Sequence, residues 1–233
     1  MSDNNTSGNN TSSTNQNHSQ AKEALLQSHK NCISFVKKQL SDPVITFVLR
    51  EIENMGCPLP NPFFRCERCL HSSLDKPKFS AAYVLGSFDK FDKDEQETDS
   101  DTIDTDNFFG KPGVLLCEDV MERYSKSDDK TVILHELIHA YDDCRAMINW
   151  KSCEQLACAE IRASSLSGEC DFLHETRRGK LSGLRGQFMN CVKRRATLSL
   201  NSSAICGGQD NAKHVEDVFK TCFNDTEPFI KRI

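Results

Sequence analysis

Apolar residues at helical spacing predict two helices in the first quarter of the chain. The first spans about residues 21–40, and its apolar side consists of Leu26, Ile33, Val36 and Leu40. The second begins after Asp42, which can cap it, with Pro43 in the first helical position. It ends at Gly56, and a proline-rich turn, CPLPNPFFRCERC, follows. Residues 1–20 are rich in Asn, Ser and Thr, and we predict a disordered head there because nothing in it can be buried.

Two shorter apolar runs predict strands that form a hairpin. They are SAAYVLGSF, over Ser80–Phe88, and GVLLCED, over Gly113–Asp119. Between them, residues 89–106 hold nine acidic residues against two lysines, which is typical of a solvated insertion. The hairpin would therefore have an overlong acidic tip.

The second half of the chain is predicted to be mainly helical. A buried helix carries ILHELIHAYDDC, and another begins at Ser152, where S-C-E-Q fits a capping box, and ends at Gly168. Residues 177–195 are basic and partly helical, and a last short helix contains Val215, Val218, Phe219 and Cys222. The order of elements predicts an α+β fold, with residues 21–233 forming a single domain around one small sheet.

Composition limits the functions that the chain can have. The net charge of −5 argues against general nucleic-acid binding, and no apolar run approaches 18 residues. The first twenty residues contain no Lys or Arg and no apolar core, so they are not a secretory signal or an arginine-rich transit peptide. Twelve cysteines nevertheless suggest disulfides and an oxidising compartment.

The segment ILHELIHAYDDC contains a metal-binding motif of the H-E-x-x-H type. His135 and His139 lie four residues apart, on one face of a helix, so both can reach one Zn²⁺ ion. Glu136 stands beside the first histidine, where such proteases keep a glutamate that takes a proton from water and returns it to the leaving amine. The motif therefore predicts a zinc metallopeptidase, with Glu136 as the general base.

A catalytic zinc site needs a third protein ligand. The longer motif with a third histidine is excluded because Asp142 and Arg145 stand where it requires Gly and His. Glu160, 21 residues after His139 on the next helix, is one candidate, and its spacing is close to that of thermolysin-like enzymes. Asp143, one turn beyond His139, is the alternative. Asp142 and Asp143 are also candidates for orienting the histidines.

Four segments resemble the mitochondrial inner-membrane zinc metallopeptidases that mature subunit 6 of the ATP synthase. They are HELIHAYDDCR, ACAEIRASSLSGEC, NCVKRRATLS and TCFNDTEPF, and the resemblance extends from about Cys57 to the C-terminus. It implies a zincin-like metallopeptidase domain in the intermembrane space, peripheral to the inner membrane and rich in disulfides. It also implies removal of the N-terminal extension of the subunit 6 precursor and, separately, assistance in ATP synthase assembly.

Alternatives remain at the level of function and of individual motifs. The family also leaves open a non-proteolytic assembly chaperone, and one animal relative suggests a nuclear scaffold that binds Ku. Cys66 and Cys69 have the C-x-x-C spacing of a structural zinc site, although disulfides are the other interpretation. The basic residues that could contact anionic lipid such as cardiolipin, or simply form a solvated face, are Arg177, Arg178, Lys180, Arg185, Lys193, Arg194 and Arg195.

Overall fold

The structure, a computed structural model, describes six stretches of the chain. These are residues 11–69, 81–86, 111–118, 130–146, 148–180 and 186–232. Residues 1–10 of the predicted head and the acidic insertion, 89–106, lie outside the described residues. No helix within the described stretches is both long enough and apolar enough to cross a membrane.

Helices make up most of the described structure. Their bounds are α1 Thr11–Gln39, α2 Pro43–Asn54, α3 Thr131–Ala146, α4 Cys153–Leu166, α5 Phe172–Arg177, α6 Gln187–Ser202 and α7 Asn211–Asn224. Asp42 caps α2 by accepting from the Val44 amide at 2.8 Å, and Pro43 is its first residue, as predicted. Helix α4 begins after Ser152 and ends just before Gly168, also as predicted.

Helix α1 begins ten residues earlier than expected. The prediction of disorder through residue 20 was wrong for residues 11–20, which belong to the helix. The C-terminal part of α1 packs into the core through Cys32, Phe35 and Val36. Once that part is helical, each further residue adds one backbone hydrogen bond without a new nucleation cost, so even a polar segment can extend it.

Three short strands form one mixed sheet. Strands β1 (Phe64–Glu67), β2 (Ala81–Val84) and β3 (Gly113–Cys117) lie in the order β1-β3-β2. Strands β2 and β3 pair antiparallel, which confirms the predicted hairpin, while β1 pairs parallel to β3. We predicted a proline-rich turn over this region, and that prediction was wrong for the residues of β1. A strand of four residues with one buried side chain shows too little alternation of apolar and polar positions to be recognised in the sequence.

Two hydrophobic clusters meet at α3 and α4. The first cluster surrounds the sheet and includes the end of α1, α2 and one face of α3. The second holds α4, α6 and α7 together. A small third cluster joins them where Ile138 of α3 contacts Ala163 and Leu166 of α4. The histidine helix is therefore buried on two sides, which restricts the directions in which its polar side chains can point.

All twelve cysteines are paired in six disulfides, and none is free. The pairs are Cys32–Cys66, Cys57–Cys144, Cys69–Cys117, Cys153–Cys206, Cys158–Cys222 and Cys170–Cys191. The first three join elements around the sheet, and the last three join the helices of the second cluster. A structural zinc site at Cys66 and Cys69 is therefore wrong, and the expectation of disulfides is confirmed.

Most of the basic run is committed to internal ion pairs. Arg194 contacts Glu175 at 2.6 Å, Arg195 contacts Glu169 at 2.6 Å, and Lys193 lies 2.6 Å from a glutamate of α7. Arg185 lies outside the described residues. Lipid contact by the basic run stays a prediction, and Lys193, Arg194 and Arg195 would have to make it while paired with carboxylates of the same chain.

Candidate metal centre

Two histidines share one face of α3. His135 and His139 are one helical turn apart, their Nε2 atoms are separated by 3.2 Å, and their rings meet edge to face. The far side of the helix carries Ile133, Leu137 and Ala140, which are buried in the first hydrophobic cluster. Because that apolar side is anchored against the sheet and α2, the imidazoles are directed away from it.

Helix α4 brings a carboxylate to the same point. Glu160 Oε2 lies 3.4 Å from His135 Nε2, and Glu160 Oε1 lies 3.7 Å from His139 Nε2. One ligand atom from each of the three residues lies within 4.8 Å of the others, and no second such group occurs in the described part of the chain. Two imidazole nitrogens and a carboxylate oxygen suit a divalent transition metal, so the donor set fits a metal ion.

Asp143, the alternative third ligand, is engaged elsewhere. Tyr83 donates its hydroxyl to Asp143 Oδ2 at 2.8 Å, and Trp150 donates its indole N–H to Asp143 Oδ1 at 2.8 Å. Both carboxylate oxygens are therefore occupied by hydrogen-bond donors. The geometry brings Glu160, rather than Asp143, to the two histidines.

The same two aromatic residues flank the histidines. The ring centroids of Tyr83 and Trp150 are 6.2 Å apart, and that of Trp150 is 6.0 Å from His139. Neither residue was singled out from the sequence, although Trp150 is the only tryptophan in the chain and follows the histidine helix closely. Together they form one wall of the site, held in place by Asp143.

Glu136 lies between α3 and the outer strand of the sheet. Its Oε2 accepts a hydrogen bond from the Tyr83 backbone N–H of β2 at 2.7 Å. Burial is the main cause that raises the pKa of Glu136, to about 7, with the neighbouring Glu160 acting in the same direction. A carboxylate with this pKa can both accept and release a proton near neutral pH.

Asp142 does not orient the histidines. It is buried and accepts from Arg162 Nε, with the two oxygens at 3.0 and 2.8 Å, and Arg145 contacts it at 3.3 Å. Arg162 also donates to the backbone of Asp225. This network instead joins α3 and α4 to the segment after α7. The expectation that Asp142 or Asp143 orients the histidines was wrong, because both side chains form their hydrogen bonds with other partners.

A different carboxylate contacts the first histidine from behind. Glu169 Oε1 lies 3.3 Å from His135 Nδ1, on the opposite side of the ring from Glu160. The sequence motif SGEC contains Glu169, but nothing in its local pattern separates it from any other glutamate after a helix. Only the fold shows that the chain turns back toward α3 at this point.

The electrostatic balance of the site favours a positive charge. Burial opposes the imidazolium of His135, but Glu169 and Glu160 outweigh it and raise its pKa well above the ordinary value. Burial lowers the pKa of His139. Burial would raise the pKa of Glu169, yet His135 and Arg195 hold it well below its usual range. A divalent cation would satisfy this surplus of carboxylates.

A buried histidine pair with a glutamate ligand and a second glutamate nearby is typical of metal-dependent hydrolases. The model of the Peptidase M76 family matches residues 30–230. This chain therefore belongs to the peptidase M76 family. None of the solved structures matches the chain.

Similar proteins are named as proteases, in agreement with the peptidase family. Mitochondrial inner membrane protease atp23 of Schizosaccharomyces pombe is 32% identical over 204 residues, which cover 87% of this chain and 92% of the relative. The protein named mitochondrial inner membrane protease ATP23 of Mycosarcoma maydis is 31% identical over 198 residues, covering 81% and 84%. The one from Malassezia globosa is 43% identical over 118 residues, covering 50% and 47%.

Proposed function

We propose that this chain is a zinc metalloendopeptidase with a zincin-like domain. In this proposal His135, His139 and Glu160 hold the ion, and Glu136 is the general base. The observation that carries it is the convergence of three ligand atoms within 4.8 Å, beside a buried glutamate on the histidine helix. The peptidase family of the chain supports the same reading.

The spacing of the nitrogens supports zinc as the metal. Two nitrogens bound at about 2.0–2.1 Å in a tetrahedral site lie about 3.3 Å apart. The Nε2 atoms of His135 and His139 are separated by 3.2 Å, so little movement is needed to bind zinc. Glu160 Oε2 lies 3.4 Å from His135 Nε2, close to this separation, and Glu160 Oε1 lies slightly farther, at 3.7 Å, from His139 Nε2.

The proposed chemistry divides between the ion and Glu136. Zinc, when bound, would supply a Lewis acid that activates water and polarises a scissile carbonyl. Glu136 removes the proton from the attacking water and passes it to the leaving amine. The hydrogen bond from the Tyr83 N–H fixes the carboxylate beside the histidines.

Strand β2 is the element that would hold the substrate. It lies at one edge of the described sheet, with β3 on its other side. Tyr83 N–H points away from β3 and donates to Glu136, so the edge of β2 that does not pair with β3 faces the site. An extended peptide that pairs with this edge would bring its backbone past the histidines. This placement supports an endopeptidase, since an extended segment can continue on both sides of the cut.

For the substrate and compartment, we propose the N-terminal extension of the ATP synthase subunit 6 precursor, in the intermembrane space peripheral to the inner membrane. The names of the relatives support the mitochondrial inner membrane. Six disulfides support an oxidising compartment and oppose a nuclear scaffold. The four sequence segments that resemble the family support the substrate and a separate role in ATP synthase assembly.

The test is cleavage of a synthetic N-terminal subunit 6 precursor by zinc-loaded protein. Glu136→Gln removes the base without removing a proposed ligand, and we expect cleavage to fall about 10²–10⁴-fold. Glu175→Gln is the matched control, because Glu175 is a fully buried glutamate outside the site. It should keep wild-type cleavage.

The outcomes separate the two roles. Loss of cleavage only in Glu136→Gln, with zinc content unchanged in both variants, supports the peptidase and its base together. If the wild type binds zinc but cuts no precursor, the substrate assignment fails, and the non-proteolytic assembly role becomes the better explanation. If Glu136→Gln cleaves as well as the wild type, the proposed base is wrong.

A further inference from the structure

Glu169 lies immediately behind one of the two histidines, away from the point where the three ligand atoms converge. We propose that Glu169, held in place by Arg195, is a positioning residue that orients His135 for metal binding. The inference rests on the proposed metal site, and it assigns a role to two residues outside the ligand set.

The two nitrogens of His135 face different groups. Nε2 lies 3.2 Å from His139 Nε2 and 3.4 Å from Glu160 Oε2, at the convergence of the ligands. Nδ1 lies 3.3 Å from Glu169 Oε1 on the other side of the ring, and neither of these buried atoms has a hydrogen-bond partner elsewhere among the described residues. A histidine that ligates through one nitrogen and presents the other to a carboxylate has its tautomer and ring orientation fixed. Glu169 is placed to do this for His135.

Glu169 is itself held rigidly. Arg195 donates to Glu169 Oε2 through Nε at 2.9 Å and through Nη2 at 2.6 Å. Arg178 donates to the backbone carbonyl of Glu169. The two carboxylate oxygens are therefore divided, since Oε2 is used by the arginine and Oε1 faces the histidine. With only 5% of its surface exposed, Glu169 cannot easily adopt another position.

The local chain geometry explains how Glu169 reaches this place. After α4 ends, Gly168 takes a left-handed conformation with φ of 82°, which turns the chain back toward α3. Cys170, two residues after Gly168, forms a disulfide with Cys191 of α6. Arg195 is one helical turn beyond Cys191, on the same face of α6. The disulfide therefore fixes the spacing between Glu169 and the arginine that holds it.

A second buried glutamate provides a matched comparison. Glu175 is fully buried and is contacted by Arg194 at 2.6 Å, Arg178 at 3.0 Å and Gln187 at 3.1 Å. It resembles Glu169 in burial and in its pairing with arginine, and its side chain contacts no described residue of the candidate metal centre; of these partners, Arg178 alone also touches Glu169, at the backbone carbonyl. A purely structural role would make Glu169→Gln and Glu175→Gln behave alike.

The experiment measures zinc affinity by competition with a chromophoric chelator, on folded full-length protein with its disulfides intact. We expect Glu169→Gln to weaken zinc binding about 10–100-fold, the usual effect of losing a carboxylate behind a ligating histidine. Glu175→Gln should bind zinc as the wild type does. Co²⁺-substituted protein adds a spectroscopic readout, because its visible absorption should change in Glu169→Gln and not in Glu175→Gln.

Equal zinc affinities and equal Co²⁺ spectra for the wild type and Glu169→Gln would overturn the proposal. Equal losses in both glutamine variants would do the same, since they would indicate a general structural effect. If Glu169→Gln does not fold, Arg195→Gln decides, and it must weaken zinc binding while Glu175→Gln does not. These measurements do not use cleavage, so they test the role of Glu169 even if the chain proves not to cleave peptides.

Discussion

The identity of the third ligand can be decided by two conservative substitutions. Glu160→Gln and Asp143→Asn each replace a carboxylate by an amide of the same shape. The sequence alone left both residues open as ligands. In the structure, Glu160 lies beside both histidines, whereas Asp143 accepts from Tyr83 and Trp150. The two variants should therefore differ strongly in zinc affinity.

The magnitude follows from the hydrogen bonds of Asp143. For Asp143 to bind zinc, it would have to give up two bonds to a charged acceptor, each worth about 1.5–3 kcal/mol and together about 3–6 kcal/mol. A cost of this size corresponds to about 100-fold or more in affinity. Glu160 needs no such exchange. Losing its charge should cost at least as much as losing a carboxylate behind a ligating histidine, so we expect a loss of about 100-fold or more.

The assay is chelator competition at fixed pH, with circular dichroism to confirm that both variants are folded. Glu160→Gln should lose most of its zinc affinity, while Asp143→Asn should retain it. Asp143→Asn is also the matched control for any general effect of removing an acidic residue near the histidines. The reasoning is refuted if Asp143→Asn weakens zinc binding more than Glu160→Gln does, or if Glu160→Gln binds zinc normally.

Three further predictions concern pH, stability and the aromatic wall. Because Glu136 must be ionised to act as a base, kcat/KM should fall as pH drops through its pKa, which is about 7 without an ion and which a cation shifts downward. A flat pH–rate profile across the acidic range would contradict this. Arg162→Met leaves the carboxylate of Asp142 buried without its main partner, so urea unfolding with intact disulfides should show a loss of about 3–5 kcal/mol; an unchanged midpoint would disprove it. Tyr83→Phe removes the hydroxyl bound to Asp143 and should cost about 1.5–3 kcal/mol of stability. Zinc affinity should not change in Tyr83→Phe, and a marked loss would point back to Asp143 as a ligand.

The elements that could be predicted from the sequence are those encoded by near neighbours. The start of α2 at Pro43 depends on a capping aspartate one residue earlier. The end of α4 depends on a glycine that can turn left-handed, at Gly168. The start of α1 was missed because polar residues extend a helix only when its other end is packed, which no local pattern reveals.

In the candidate site, too, some residues could be predicted from near neighbours in the sequence and one could not. His135, Glu136 and His139 are close in sequence, and the helical repeat alone places them on neighbouring turns. Glu169 was missed because its contact with His135 joins residues 34 positions apart, across a turn and a second helix. Its position depends on the packing of α3, α4 and α6 and on the disulfide that joins Cys170 to α6.

The sequence by itself determined the histidine helix, the hairpin of β2 and β3, and the family to which the chain belongs, because these depend on patterns within short segments. The tertiary structure alone decided the pairing of β1 with β3, the six disulfides, and which of Glu160 and Asp143 lies beside the two histidines. The physical reason is that each of these involves groups distant in sequence. Whether such groups meet depends on how the buried faces of the elements pack. If a helix packed through a different face, its side chains would contact different residues.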